Sequence, residues 1–141
     1  MAHIKEEWRD AINSGLADGA PCLVGTVSAN GQPQISPKGS VLVHGVSTLA
    51  FWERSNRTAA GNIQNNQKVV VYFRNPGRAE ELPQGGCLRF YGTARVVTEG
   101  VERDAVMDKV VQKELDADPG RKGSAIIIDV NSITNLRGDE Q

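Results

Sequence analysis

Apolar residues recur every fourth position at the start of the chain, at Ile4, Trp8, Ile12 and Leu16. That spacing puts one apolar stripe on a helix over about residues 3–17, with Lys5, Glu6, Arg9 and Asp10 off it. Gly15, Gly19 and Pro21 stop the helix. The pattern then turns strand-like. Residues 22–29 read CLVGTVSA, and Asn30-Gly31 behind them is a strong hairpin signal. The returning strand, about 34–44, is interrupted by Pro37-Lys38-Gly39. Proline cannot donate to a ladder, so an edge or a bulge is expected there.

Gly45 to Ser47 forms the next turn, and residues 48–53 (TLAFWE) form a third strand. Ser55-Asn56-Arg57-Thr58 opens a short helix through about Gln64, with Ser55 or Asn56 as its N-cap. Residues 68–74 (KVVVYFR) are β-branched and read as a buried strand. A loop rich in glycine, proline and charge covers 75–86, and a long strand follows over 87–98. Helical spacing returns at Val101, Ala105, Val106, Val110 and Val111, predicting a helix over 101–115. Residues 124–131 (SAIIIDVN) are the last strand, and the tail 138–141 is expected to fray. Six strands with hairpin connections and only short helices predict a mainly β fold, an antiparallel barrel or sandwich. A βαβ alternation with a GxGxxG turn is missing, which argues against a dinucleotide-binding Rossmann unit.

At 141 residues the chain reads as a single domain, 1–141, large enough to bury its own core. A net charge of -1 gives no global pull toward nucleic acid, so any basic site must be local. No apolar run reaches the roughly 20 residues of a membrane span, and MAHIKEEWRD has no signal-peptide core, so a cytoplasmic protein is expected. Cys22 and Cys87 sit in separate apolar segments and are read as buried free thiols. His3 and His44 offer no metal-ligand spacing.

Two segments concentrate groups suited to phosphate. Ser36-Pro37-Lys38-Gly39-Ser40 combines a cation, two hydroxyls and a glycine that lets backbone N–H groups approach a ligand. The other is the start of the short helix, where Arg54 precedes Ser55-Asn56-Arg57-Thr58 and free N–H groups with the positive end of the dipole favour an anion. Arg57 adds a fork suited to two phosphate oxygens. Read singly, the first is also an ordinary turn with a solvated lysine, and the second an ordinary cap. Phe51-Trp52 and Phe90-Tyr91 are adjacent pairs on strands. One of each pair is expected in the core, its neighbour lining a pocket or a subunit contact. No nucleophile–base pair is readable, which suits a protein whose chemistry is carried by a cofactor.

Taken in order, GTVSANGQPQISPKGS, LAFWERSNRTAAGNIQNNQKVVVYF and LRFYGTARVV resemble the split β-barrels that bind flavin mononucleotide (FMN), the family that includes the pyridoxamine 5'-phosphate oxidases. The resemblance runs from about Val24 to Val97. It implies a six-stranded antiparallel split barrel, a homodimer, and one FMN in each of two interface grooves. It also implies roles. Ser36, Pro37, Lys38, Gly39 and Ser40 would run beside the flavin ring and ribityl chain, with Lys38 reaching phosphate or ring oxygens. Phe51 and Trp52 would present backbone groups to the flavin edge, while Arg57 and Thr58 hold the phosphate and Asn62 reaches the same end.

The oxidases carry an arginine where Ser36 stands and a second basic residue where Thr58 stands. Cys87 aligns with their glutamine, and the end SITNLRGDEQ has a lone Arg137 and no histidine. Vitamin B6 oxidation is therefore not expected. The sequence points to a cytoplasmic FMN-dependent oxidoreductase with an unassigned small-molecule substrate, engaging neither nucleic acid nor membrane. A flavin-binding storage or sensing module is the alternative, as is the same barrel with deazaflavin F420 or haem.

Overall fold

Strand alternation dominates the computed structural model, which describes residues 1–141. Seven strands form one antiparallel sheet: β1 (Cys22–Val27), β2 (Pro33–Lys38), β3 (Leu42–Gly45), β4 (Thr48–Glu53), β5 (Lys68–Arg74), β6 (Cys87–Val97) and β7 (Ser124–Thr134). Their order is β2-β1-β5-β6-β7-β4-β3. The two edge strands are consecutive in sequence, joined only by Gly39, Ser40 and Val41. So short a link has a reach of roughly 14 Å. The sheet must curl until its edges nearly meet, and the result is the expected mainly β split barrel.

The strand expected over 34–44 is thus two strands on opposite edges, which raises the count from six to seven. Pro37 lies exposed on edge strand β2, where a missing N–H costs nothing. At the break, Gly39 lets two side chains pack close to the backbone. A Cβ there would press on the Leu16 side chain at 2.9 Å and on the Glu114 carboxylate. Ser40 then stands in for the missing ladder. Leu42 pairs with Ala50, so Ser40 falls opposite Trp52. Its hydroxyl accepts from the Trp52 N–H at 2.9 Å and donates to the Trp52 carbonyl at 3.2 Å.

Four short helices cover the barrel: α1 (Glu6–Asn13), α2 (Thr58–Asn65), α3 (Val101–Met107) and α4 (Gln112–Asp116). None is long and apolar enough to cross a membrane. The first helix is shorter than its stripe. Residues before it are tied down by bonds from Ala2 N–H to Val130 and from Ile4 N–H to Val46, and the chain after it turns at Gly15. The helix expected over 101–115 breaks in two where Val111 is extended. The cap of α2 also differs from expectation. Arg57, not Ser55 or Asn56, occupies it, and no side chain caps the helix. Asn56 instead takes a left-handed conformation (φ 47°), which asparagine tolerates. Nor does the tail fray: Thr134 bridges Glu140, and the Gln141 N–H donates to Ile133.

Both faces of β4 are buried, so it divides two cores. Phe51 joins Trp8, Ile12, Phe73, Phe90 and Ile126 inside the barrel. Trp52 points the other way, against Val106, Val110, Leu115 and Ile127 beneath α3 and α4. Phe51 and Trp52 are both buried, with Trp52 also lining a groove on its side of the strand, whereas Phe90 is buried and Tyr91 is 42% exposed. Cys22 and Cys87 are buried free thiols, and burial pushes the Cys22 thiol up to about 12.

The second core closes over buried Asp118. Its carboxylate accepts from Trp52 Nε1 at 2.9 Å and from the N–H groups of Gly123 at 2.8 Å and Lys122 at 3.1 Å. The Arg103 guanidinium lies 4.8 Å from the Trp52 ring and donates to the Gly123 carbonyl at 3.1 Å. Burial acts against the Asp118 charge. The Trp52 donor and the two backbone N–H groups outweigh it and hold the carboxyl below its ordinary range. A depressed carboxyl stabilises the fold above its unfolded pKa of about 3.9 and loses that contribution as pH falls through the folded value. Asp118→Ala should cost about 1.5–3 kcal/mol at pH 7. Urea unfolding at pH 7 and pH 3 checks this: the gap between wild type and variant should narrow in acid.

Candidate functional site

Inward positions on β2 carry the chemistry. Alternation points Gln34, Ser36 and Lys38 to one face, opposite Thr26, Val24 and Cys22 of β1. Thr26 is buried, and its hydroxyl accepts from Asn62 Nδ2 at 2.9 Å and donates to Gln34 Oε1 at 3.2 Å. Gln34 Nε2 then donates to Ser36 Oγ at 2.9 Å. A directed string of hydrogen bonds thus runs from α2 across β1 to β2.

Lys38 lies at the end of that face. Its Nζ donates to both carboxylate oxygens of Glu53 at 3.2 Å, and Glu53 is only 3% exposed. Glu53 follows Phe51 by two residues and so shares its inward face. The Lys38 ammonium also lies 5.8 Å from the Phe51 ring. Two of its three N–H donors are thus engaged and one remains.

A groove of about 100 Å³ opens here, lined by Lys38, Gly39, Ser40 and Trp52 together with Glu53, Arg54 and Glu114. It holds two cations and two carboxylates. Five of the sequence-nominated residues meet in it, Pro37 being the fifth beside Lys38, Gly39, Ser40 and Trp52. The other nominated groups stand apart. Phe51 is sealed in the main core, pairing with Ile126. Asn62 is buried and donates to Thr26. Both backbone groups of Trp52 are held by Ser40, which leaves neither for the edge of a ligand.

Arg57 and Thr58 are exposed at the start of α2. The first backbone bond of this helix runs from the Gly61 N–H to the Arg57 carbonyl. The N–H groups of Thr58, Ala59 and Ala60 have no acceptor in the protein, as the first turn of any helix dictates. Arg54 and Arg57 both lack a carboxylate partner among the ion pairs. The loop from Arg54 to Thr58 is therefore a positive, donor-rich feature beside a balanced groove.

Glu53 and Glu114 were missed in the sequence, as was the Asn62–Thr26–Gln34–Ser36 string. Glu53 did leave a trace: a carboxylate in register with Phe51 on an otherwise apolar strand demands a buried cation. Glu114 left none, since its approach to Gly39 depends on how α4 docks. No group of three or more metal-ligating side chains assembles.

With this geometry in place, the comparisons identify the class. Residues 4–133 match the model of the pyridoxamine 5'-phosphate oxidase family, and the chain belongs to that family. Among solved structures it is similar to HupZ of Group A Streptococcus, at 30% identity, with 98% of each chain covered and a TM-score of 0.74. An FMN-binding protein from Syntrophomonas wolfei shares the fold at 15% identity, over 92% of this chain and 86% of that one, with a TM-score of 0.69. An F420 reductase shares it at 16% identity, over 93% of this chain and 98% of that one, with a TM-score of 0.62. No curated protein matches the sequence.

The Lys38–Glu53 pair gives a direct test of the site's electrostatics. Lys38→Met strands a buried carboxylate and should destabilise the fold by roughly 3 kcal/mol, the low end for such pairs because Lys38 keeps some exposure. Lys38→Met combined with Glu53→Gln should recover most of that loss. Chemical denaturation of both variants measures the difference.

Proposed function

We propose that this protein binds FMN as a homodimer and acts as an FMN-dependent oxidoreductase on a small molecule. One observation carries the reading: Arg54 and Arg57, neither with a carboxylate partner, flank a helix start whose first N–H groups have no acceptor. Such a terminus suits a phosphate monoester, and an arginine beside it can form two charge-assisted bonds. The family supplies the flavin expectation, and a fold relative that is itself FMN-binding supports it.

The groups present fit the phosphate end directly. The other end fits through Lys38, whose remaining N–H is directed by its pair with Glu53 and is available to a ring or ribityl oxygen. Ser36 and Ser40 shape that path, though their hydroxyls already serve Gln34 and Trp52. A bound flavin supplies hydride acceptance on its central ring. The chain's part is to anchor the phosphate at Arg57 and Thr58 and to keep a donor at Lys38. F420 also carries phosphate, so the same end would suit it. A reading without turnover draws support from the Lys38–Glu53 pair, which leaves no free acid or base in the groove. Reduction of the flavin by NADH or NADPH, followed by electron acceptance, separates enzyme from binding module.

The purified protein should be yellow, with FMN released on denaturation. Arg57→Ala removes hydrogen bonds to a charged group, worth about 1.5–3 kcal/mol. FMN affinity should fall roughly 10- to 150-fold. Riboflavin lacks the phosphate, so its weaker binding should hardly change. Titration calorimetry with both ligands decides: equal loss for riboflavin, or no loss for FMN, removes Arg57 as the anchor.

The dimer reading rests on the outer face of β2, β1, β5 and β6. Leu23, Ile35, Val70, Tyr72 and Tyr91 line an open apolar cleft of about 390 Å³ there, with Ile35 70% exposed. A contiguous apolar face of this kind calls for a partner, and a two-fold copy is the commonest one. The expected contact thus lies on the Ile35–Tyr91 face, since Phe51, Trp52 and Phe90 are buried. Ile35→Glu should convert the dimer to the 15.2 kDa monomer in sedimentation and weaken FMN binding with it.

A further inference from the structure

A second groove lies on the other side of the β2–β3 break. One bank is α1, where Arg9 and Asn13 sit four residues apart and so share a face that Leu16 and Ala17 continue. The opposite bank is the connection between α3 and α4 with the start of α4, carrying Lys109, Val111 and Lys113. The floor is the outer edge of β3. Two adjoining cavities of about 280 Å³ and about 220 Å³ share Asn13 and Val111, which makes the groove continuous. The larger alone approaches the low end of small-molecule sites, roughly 300 Å³, and the two together fall within their range.

Its chemistry is one-sided. Arg9, Lys109 and Lys113 line it, whereas no carboxylate does. Arg9 meets Glu6 on the exposed face of its own helix, and Lys109 donates to the His44 carbonyl and faces His44 Nδ1 at 3.2 Å. Lys113 has no ion-pair partner and is exposed. Between the cations the walls are aliphatic. A peptide strand is disfavoured as the occupant, because the outward N–H groups at this edge already have acceptors. Val43 donates to Asn13 Oδ1 at 2.8 Å and Val41 to the Lys38 carbonyl at 3.3 Å.

We propose that this groove binds a small amphipathic anion, an unbranched aliphatic carboxylate whose chain lies on Leu16, Val41 and Val111 and whose head meets Lys109 and Arg9. The site is separate from the loop at Arg54 to Thr58. Ser40 lines both grooves, so occupancy here adjoins the Lys38 groove without sharing its charges.

Octanoate below its micellar concentration is the probe, followed by NMR on the full-length protein. The chain has two histidines, so the His44 ring is a resolved reporter beside Lys109. Saturable shifts are expected at the His44 ring and at the amides of Asn13, Val43 and Val111. Octanol, with the chain but no charge, should bind at least about tenfold more weakly, and acetate should not saturate. Lys109→Gln and Arg9→Gln should each weaken octanoate roughly three- to tenfold, as expected for partly exposed ion pairs. Arg9 lies on α1 and makes no bond to His44, so its variant tests the site even where Lys109→Gln perturbs that ring. Absence of saturable shifts, equal binding of octanol, or shifts centred on Ile35 and Tyr91 would each overturn the assignment.

Discussion

The link between β2 and β3 is the constraint from which the rest of the architecture follows. Consecutive strands most often pair as a hairpin, yet here they occupy opposite edges of a seven-stranded sheet. Only Gly39, Ser40 and Val41 lie between them. The glycine allows Leu16 and Glu114 to approach, and the serine hydroxyl supplies the two bonds that a continuing β3 would have given Trp52. Closure on these terms brings the end of β2 against the end of β4. Lys38 therefore meets Glu53, and one break in the sheet borders two grooves.

Local periodicity made most of the elements legible. Alternation and β-branching located the strands, Asn30-Gly31 marked the first hairpin, and Pro37-Lys38-Gly39 marked the break. What the break does was not legible, because whether a strand bends or crosses to the far edge depends on contacts remote in sequence. The same applies to Phe51 and Trp52. Alternation assigned them to opposite faces, but a second core on the far face forms only once α3 and α4 dock there. Helix ends depart from the stripe where a tertiary bond holds the chain, as at Ile4, or where the backbone extends, as at Val111.

Within the candidate site, legibility divides between cations and their partners. Lys38 and Arg57 stand out in a linear reading because each sits in a recognisable local feature. Glu53, fifteen residues from Lys38, changes what that lysine can do. A lysine held on two carboxylate oxygens is a fixed donor and a poor source of net charge. Arg57 keeps its full charge, since the β4–α2 loop brings no carboxylate to it. The pairing pattern thus assigns different work to two residues that composition alone treats alike.

This difference bears on how a flavin would be discriminated. Where charge is balanced, in the Lys38 groove, selectivity must come from the direction of donors and the shape of the opening. Where it is unbalanced, at Arg54 to Thr58, attraction depends on the ligand's own charge and weakens with salt. A phosphorylated and an unphosphorylated flavin would therefore be separated at the helix start, while the ring end would treat them alike. The string from Asn62 through Thr26 and Gln34 to Ser36 joins the two regions mechanically, since it fixes α2 against the strand that carries Lys38. Asn62 and Thr26, the buried members of that string, are bonded to each other, so neither turns toward a ligand without leaving a buried polar group unpaired. Rigidity of this kind favours a preformed site, and it places the burden of recognition on the groups the fold has left free: the arginines, the first N–H groups of α2, and the third donor of Lys38.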